Sequence, residues 1–71
     1  MNLQYNTVIV NGEVFNCYDQ MSLHDFLIYL KFDIRTIVVE YNREIISLMN
    51  FRQIILNNGD KLEVVTIVGG G

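Results

Sequence analysis

Only one stretch of this chain carries a helical stripe, and it is short. Leu23, Phe26, Leu27 and Leu30 recur at i, i+3, i+4 and i+7. That spacing gathers apolar side chains on one face of a helix of eight to ten residues. Ser22-Leu23-His24-Asp25 sets a capping serine three residues ahead of an acid, a shortened variant of the capping box. The other apolar residues fall largely in short runs rich in Val and Ile, the composition of strands. One helix covers one face of one sheet, so the chain is constrained to a single sheet with a helix across it.

The first two strand-like runs, Thr7–Val10 and Glu13–Cys17, flank Asn11-Gly12, the strongest short-range signal for a two-residue hairpin. Closing the hairpin there pairs Val10 with Glu13, Ile9 with Val14 and Val8 with Phe15. Paired residues share a face, so Val8, Val10, Phe15 and Cys17 lie on one side, Ile9 and Val14 on the other. After the helix and a polar link around Asp33, Thr36–Tyr41 reads as a strand, Asn42-Arg43 as a turn and Glu44–Ile46 as another short strand. Asn50–Ile55 suits a short helical turn. Asn57-Asn58-Gly59-Asp60 is a further turn, and Lys61–Val68 the last strand. The order ββαβ(β)β is the pattern of an α+β, β-grasp fold. It implies a mixed sheet of four to five strands, the last one central and parallel to the first, with one main helix on one face. No repeat, linker or low-complexity segment breaks residues 1–71, so one domain is expected, ending in a flexible Gly69–Gly71 tail.

Size and charge narrow what such a domain can do. A domain this small buries only about 60% of its unfolded surface, which leaves little room for a substrate pocket and argues against a free-standing enzyme. An apolar share of 51% against 18% charged residues argues for a folded chain. The net charge is −3, and the five basic residues, Lys31, Arg35, Arg43, Arg52 and Lys61, are scattered. That pattern gives no footprint for nucleic acid. A single cysteine excludes an internal disulfide and suits a reducing compartment. The N-terminus has no signal or transit character, and no apolar run approaches the roughly 20 residues a bilayer requires. The cytoplasm, or the plastid stroma for an organelle-encoded chain, is the expected location.

Few residues look chemically active. Cys17 lacks a nearby His or second Cys and falls on the core face beside Phe15, so it reads as a small buried hydrophobe. His24 lies outside the apolar stripe with no second ligand at a metal-binding spacing, and reads as solvated. The carboxylates are dispersed, with no acid–base pair; Asp60 reads as a residue that stabilises its own turn. No metal site is expected. Alternation in the last strand sends Leu62 and Val64 toward the helix and Glu63, Val65 and Ile67 away from it. With Ile9 and Val14 they form an expected apolar docking patch on the helix-free face.

The most unusual element is Gly69-Gly70-Gly71 directly after an apolar strand. Glycines add nothing to pack and cost the most entropy to order. Lacking Cβ atoms, they let a terminal carboxylate thread a narrow slot in another protein. A frayed or truncated end is the alternative.

Thr7–Glu13, the Ser22-Leu23…Leu27…Leu30 helix, Ile37–Asn42, Leu56–Asp60 and Val68–Gly71 together resemble the ThiS sulfur carriers of thiamine biosynthesis. The resemblance covers nearly everything after Asn6. Its most specific element is Asn58-Gly59-Asp60, an apolar strand and terminal glycines at fixed distance. Two positions depart from the family pattern: Arg43 stands where glycine is usual, and no proline occurs around Ile46-Ser47-Leu48.

The resemblance implies a mechanism carried by partners. A ThiF-type adenylating enzyme, using ATP and Mg²⁺, activates the Gly71 carboxylate while Gly69 and Gly70 thread its active site. Sulfur from a cysteine desulfurase converts the adenylate to a thiocarboxylate, and thiazole synthase accepts that sulfur. The chain itself is then not an enzyme and binds no cofactor; Val65, Ile67, Ile9 and Val14 are its docking residues. Three alternatives stay open: a ubiquitin-like protein modifier, a molybdopterin-type sulfur carrier, and a plain interaction module.

Overall fold

The computed structural model describes residues 4–67. Five strands, β1 (Tyr5–Val10), β2 (Glu13–Tyr18), β3 (Ile37–Tyr41), β4 (Glu44–Ile46) and β5 (Lys61–Thr66), form one sheet in the order β2-β1-β5-β3-β4. β5 is central, parallel to β1 and antiparallel to β3. The one α-helix among the described residues, α1 (Leu23–Tyr29), packs on one face.

Local chemistry fixes the first hairpin. Asn11 and Gly12 sit at φ 49° and 83°, the mirror-image turn whose twist matches the strands it joins. The resulting register pairs Val10 with Glu13, Ile9 with Val14 and Val8 with Phe15, as the sequence implies. Asn42 and Arg43 repeat the geometry at φ 47° and 73° between β3 and β4. An arginine in the left-handed region costs about 1 kcal/mol relative to glycine.

The helix opens on Ser22, whose Oγ accepts from the Asp25 N–H at 3.0 Å. It spans seven residues, shorter than the eight to ten expected. Lys31 turns to φ 72°, and the N–H groups of Lys31 and Phe32 return to the carbonyls of Ile28 and Leu27 at 2.9 and 3.0 Å. That is a Schellman closure with lysine in the usual glycine position. Leu23, Phe26 and Leu27 are fully buried against Val8, Val10, Val39, Phe51, Leu56, Leu62 and Val64.

Several boundaries differ from the sequence reading: β1 starts at Tyr5 rather than Thr7, and β2 runs on to Tyr18 rather than Cys17. Thr36 belongs to a short 3-10 turn, Ile34–Thr36, capped by Asp33, so β3 starts at Ile37. The helical turn expected at Asn50–Ile55 is a 3-10 helix at Leu48–Gln53, started earlier by Ser47, whose Oγ accepts from the Met49 N–H. Ser47 holds φ −68° there, the value that a proline would impose. β5 ends at Thr66, and Val68 lies outside the described residues.

Candidate functional site

β5 is the element that leads to the glycines, and it is anchored on both sides. β1 pairs with it only through Ile9–Lys61 and Val10–Leu62. The Asn11 side chain adds one more rung: its Oδ1 accepts from the Val64 N–H at 2.7 Å, and its Nδ2 donates to the Val64 carbonyl at 3.1 Å. On the other side β3 pairs along the strand up to Thr66. One residue further, the Ile67 N–H donates to the Thr36 carbonyl at 2.7 Å. The chain is thus held in the sheet through Ile67.

Asp60 fixes where β5 begins. Its Oδ2 accepts from the Asn57 N–H at 2.7 Å, stabilising its own turn as expected, and also from the Tyr41 hydroxyl at 2.8 Å. Oδ1 accepts from Asn42 Nδ2 at 3.1 Å, and Asn42 Oδ1 in turn accepts from the Lys61 N–H at 2.9 Å. Asp60 therefore ties two turns together. Burial and the neighbouring Asp60 push the Tyr41 phenol up to about 12.

Alternation along β5 sorts its side chains cleanly. Leu62 and Val64 are 1% and 6% exposed, facing the helix; Val65 and Ile67 are 61% and 50% exposed. Val65 faces Val38 across the β3–β5 pair, so the apolar surface beside the chain's exit is Val38, Val65 and Ile67. Val38 was missed in the sequence, although the same alternation between Ile37 and Val39 points to it. Ile9 and Val14 share the helix-free face but stand in the row of Lys61. The facing pair Glu40–Glu63 separates that row from Val65 and Val38. Val14 is exposed, whereas Ile9 is half-buried because the neighbouring strands flank it. The four expected docking residues thus form two groups. Gly69, Gly70 and Gly71 lie outside the described residues.

The ThiS family model matches residues 8–71, from the middle of β1 through the last glycine. This chain belongs to the ThiS family. The uncharacterized protein ycf40 of Pyropia yezoensis is 45% identical over 65 residues, covering 92% of each chain. The ycf40 protein of Trieres chinensis is 42% identical, covering 92% of this chain and 89% of its own. A thiazole synthase of Paramagnetospirillum magneticum is 39% identical over 64 residues, covering 90% of this chain but 20% of that protein. The crystal structure of a thiamine biosynthesis protein (ThiS) from Geobacter metallireducens superposes with a TM-score of 0.79 at 25% identity, over 92% of this chain and 99% of the other.

As a member of a sulfur-carrier family, the chain has the ThiS β-grasp sheet and helix. Arg43 departs from the family pattern in residue type only, since it keeps the positive φ that glycine favours. Cys17 is buried, and burial, reinforced by the charge of Asp60, raises its thiol pKa. His24 differs from its expected solvated state. Its side chain is 14% exposed, and Nδ1 hydrogen-bonds Asp25 Oδ1 at 3.0 Å. Among the described residues no three His, Cys, Asp or Glu side chains gather as metal ligands, and no helix is long and apolar enough to cross a membrane.

Proposed function

We propose that this ThiS-family carrier acts through the Gly71 carboxylate. A ThiF-type adenylating enzyme brings ATP and Mg²⁺; a carboxylate oxygen of Gly71 attacks the α-phosphorus, and pyrophosphate leaves. Sulfur mobilised by a cysteine desulfurase displaces AMP and leaves a thiocarboxylate on Gly71. Thiazole synthase then takes that sulfur into the thiazole of thiamine. The relative named thiazole synthase, in which a segment like this chain makes up a fifth of the length, supports that last partner.

The single observation that carries the reading is the placement of β5. A family match running through Gly71 joins a central strand anchored as far as Ile67. Only four residues then separate the fold from the reacting carboxylate, and Gly69, Gly70 and Gly71 make up three of them. Without Cβ atoms those residues pass through a slot too narrow for other side chains. Val65 and Ile67, beside the exit, are where the adenylating enzyme and thiazole synthase grip the carrier to aim its end; Val14 and Ile9 extend the contact. The chain supplies handle and docking surface, while nucleophile, metal and nucleotide pocket belong to the partners. Its ycf40 relatives in three algae favour the plastid stroma over the cytoplasm.

The test is ATP–pyrophosphate exchange by the adenylating enzyme of the same host. Exchange depends on the intact chain and is abolished when Gly70 and Gly71 are removed, with the melting curve unchanged. Undiminished exchange by the truncated chain overturns the proposal.

A further inference from the structure

The two edges of the sheet are treated differently. β4 is three residues long and begins with Glu44, whereas β2 runs for six residues and carries no charge after Glu13. Natural edge strands are blunted by internal charges, prolines or bulges. β2 has neither proline nor bulge, and its one charge, Glu13, stands at its first residue: the chain lacks proline, and the β1–β2 register is unbroken.

The hydrogen-bonding parity shows which groups are free. Ile9 and Asn11 donate to the carbonyls of Asp60, just before β5, and of Leu62 within it, so the alternate β1 residues turn their groups toward β2. They meet Glu13, Phe15 and Cys17 there. The backbone groups of Val14 and Asn16 and the Tyr18 N–H therefore point out from the sheet, while the Tyr18 carbonyl accepts from the Met21 N–H at 3.2 Å. A second β2, running antiparallel, uses the free groups in one register: Asn16 exchanges both bonds with Asn16 of the second copy, and the Tyr18 N–H donates to the Val14 carbonyl opposite it.

The exposed side chains select a second copy of this chain as the occupant of that edge. On the helix-free face, Tyr5 and Tyr18 stack with ring centroids 5.3 Å apart, both 53% exposed. Two rows away stand Val14 and Ile9. In this register the two unconnected groups become continuous rows. Tyr5 and Tyr18 of one copy run into Val14 and Ile9 of the other, twice over, with Thr7 and Asn16 between them. Aromatic against β-branched is a favourable cross-strand pair.

We infer that this protein forms a two-fold dimer through β2, with Asn16 at the axis, giving one ten-stranded sheet. The interface lies two strands away from β5, so Val65, Ile67 and the exit of the chain remain open in both copies. Glu13 faces Asp19 of the second copy at each end, and added salt, by screening that repulsion, tightens the association.

The full chain is tested by sedimentation equilibrium over rising concentration, with and without added salt. The apparent mass climbs toward twice the monomer mass, further with salt; a monomer up to the highest soluble concentration overturns the inference. Register is tested in a Cys17→Ala background. Asn16→Cys faces its own counterpart about 5.5 Å away between Cα atoms, within disulfide range, and cross-links on mild oxidation. Val14→Cys lies about 14 Å from its counterpart and does not. Equal cross-linking of both, or of Val14→Cys alone, contradicts this interface. Val14→Lys returns a monomer of unchanged melting temperature, and Tyr18→Lys gives the same readout if Val14→Lys unfolds. Association unaffected by either charge also contradicts it.

Discussion

Tyr41 donates its hydroxyl proton to Asp60 Oδ2 at 2.8 Å, joining the last residue of β3 to the residue that precedes β5. The phenol is held protonated, with its pKa pushed up to about 12, above the ordinary value of 10.0. A folded-state pKa above the unfolded one contributes stability that is fully present below pH 10 and is lost as pH rises toward 12. Urea midpoints should therefore fall across that window more steeply in the wild type than in Tyr41→Phe. At neutral pH the variant should be less stable by about 1 kcal/mol, the worth of one hydrogen bond. Parallel pH profiles would contradict this role for Tyr41.

The sorting of side chains along β5 separates docking from folding. Val65→Ala and Ile67→Ala should each lower stability by about 0.5 kcal/mol or less, while weakening binding to the adenylating enzyme by about 2 kcal/mol or more. Leu62→Ala should lower stability by about 2 to 5 kcal/mol through the cavity it leaves. Calorimetric melting and titration on the same variants check both halves. Equal losses of stability at Val65 and Leu62 would show that the two faces are not distinct.

Much of this was legible in the sequence because it is written in local chemistry. Asn11-Gly12 dictates a mirror-image turn and hence the β1–β2 register, and the stripe from Leu23 to Leu30 dictates the helix face. Alternation from Leu62 to Val65, with Ile67 two residues further on the same face, places the exposed pair beside the exit. What escaped depends on contacts between distant residues. The Asn11 side chain acts as a rung against Val64, more than fifty positions away, and no local pattern marks it. Asp60 looks like an ordinary turn residue, yet its carboxylate also reaches Tyr41 through Oδ2 and Asn42 through Oδ1. His24 carries a polar label on a small helix, but tertiary packing covers most of its ring. The split between Val65 and Val14 also needed the sheet order, because Glu40 and Glu63 meet only once β3 lies beside β5.

Arg43 offers a test of stored strain. It occupies φ 73°, where glycine is free of the steric penalty that other side chains carry. Arg43→Gly should stabilise the protein by about 1 kcal/mol, read as a rise in denaturant midpoint at unchanged slope. A loss of stability would mean that the arginine side chain contributes more than its backbone costs.

If sulfur travels on Gly71, intact mass spectrometry of the protein recovered from its own host detects it. A fraction of the protein should be heavier than the unmodified chain by the replacement of one oxygen with sulfur. Fragmentation should place that sulfur on Gly71, and it should vanish when the adenylating enzyme is absent. A chain that ends in an ordinary carboxylate under every growth condition, thiamine starvation included, would contradict the carrier role of Gly71.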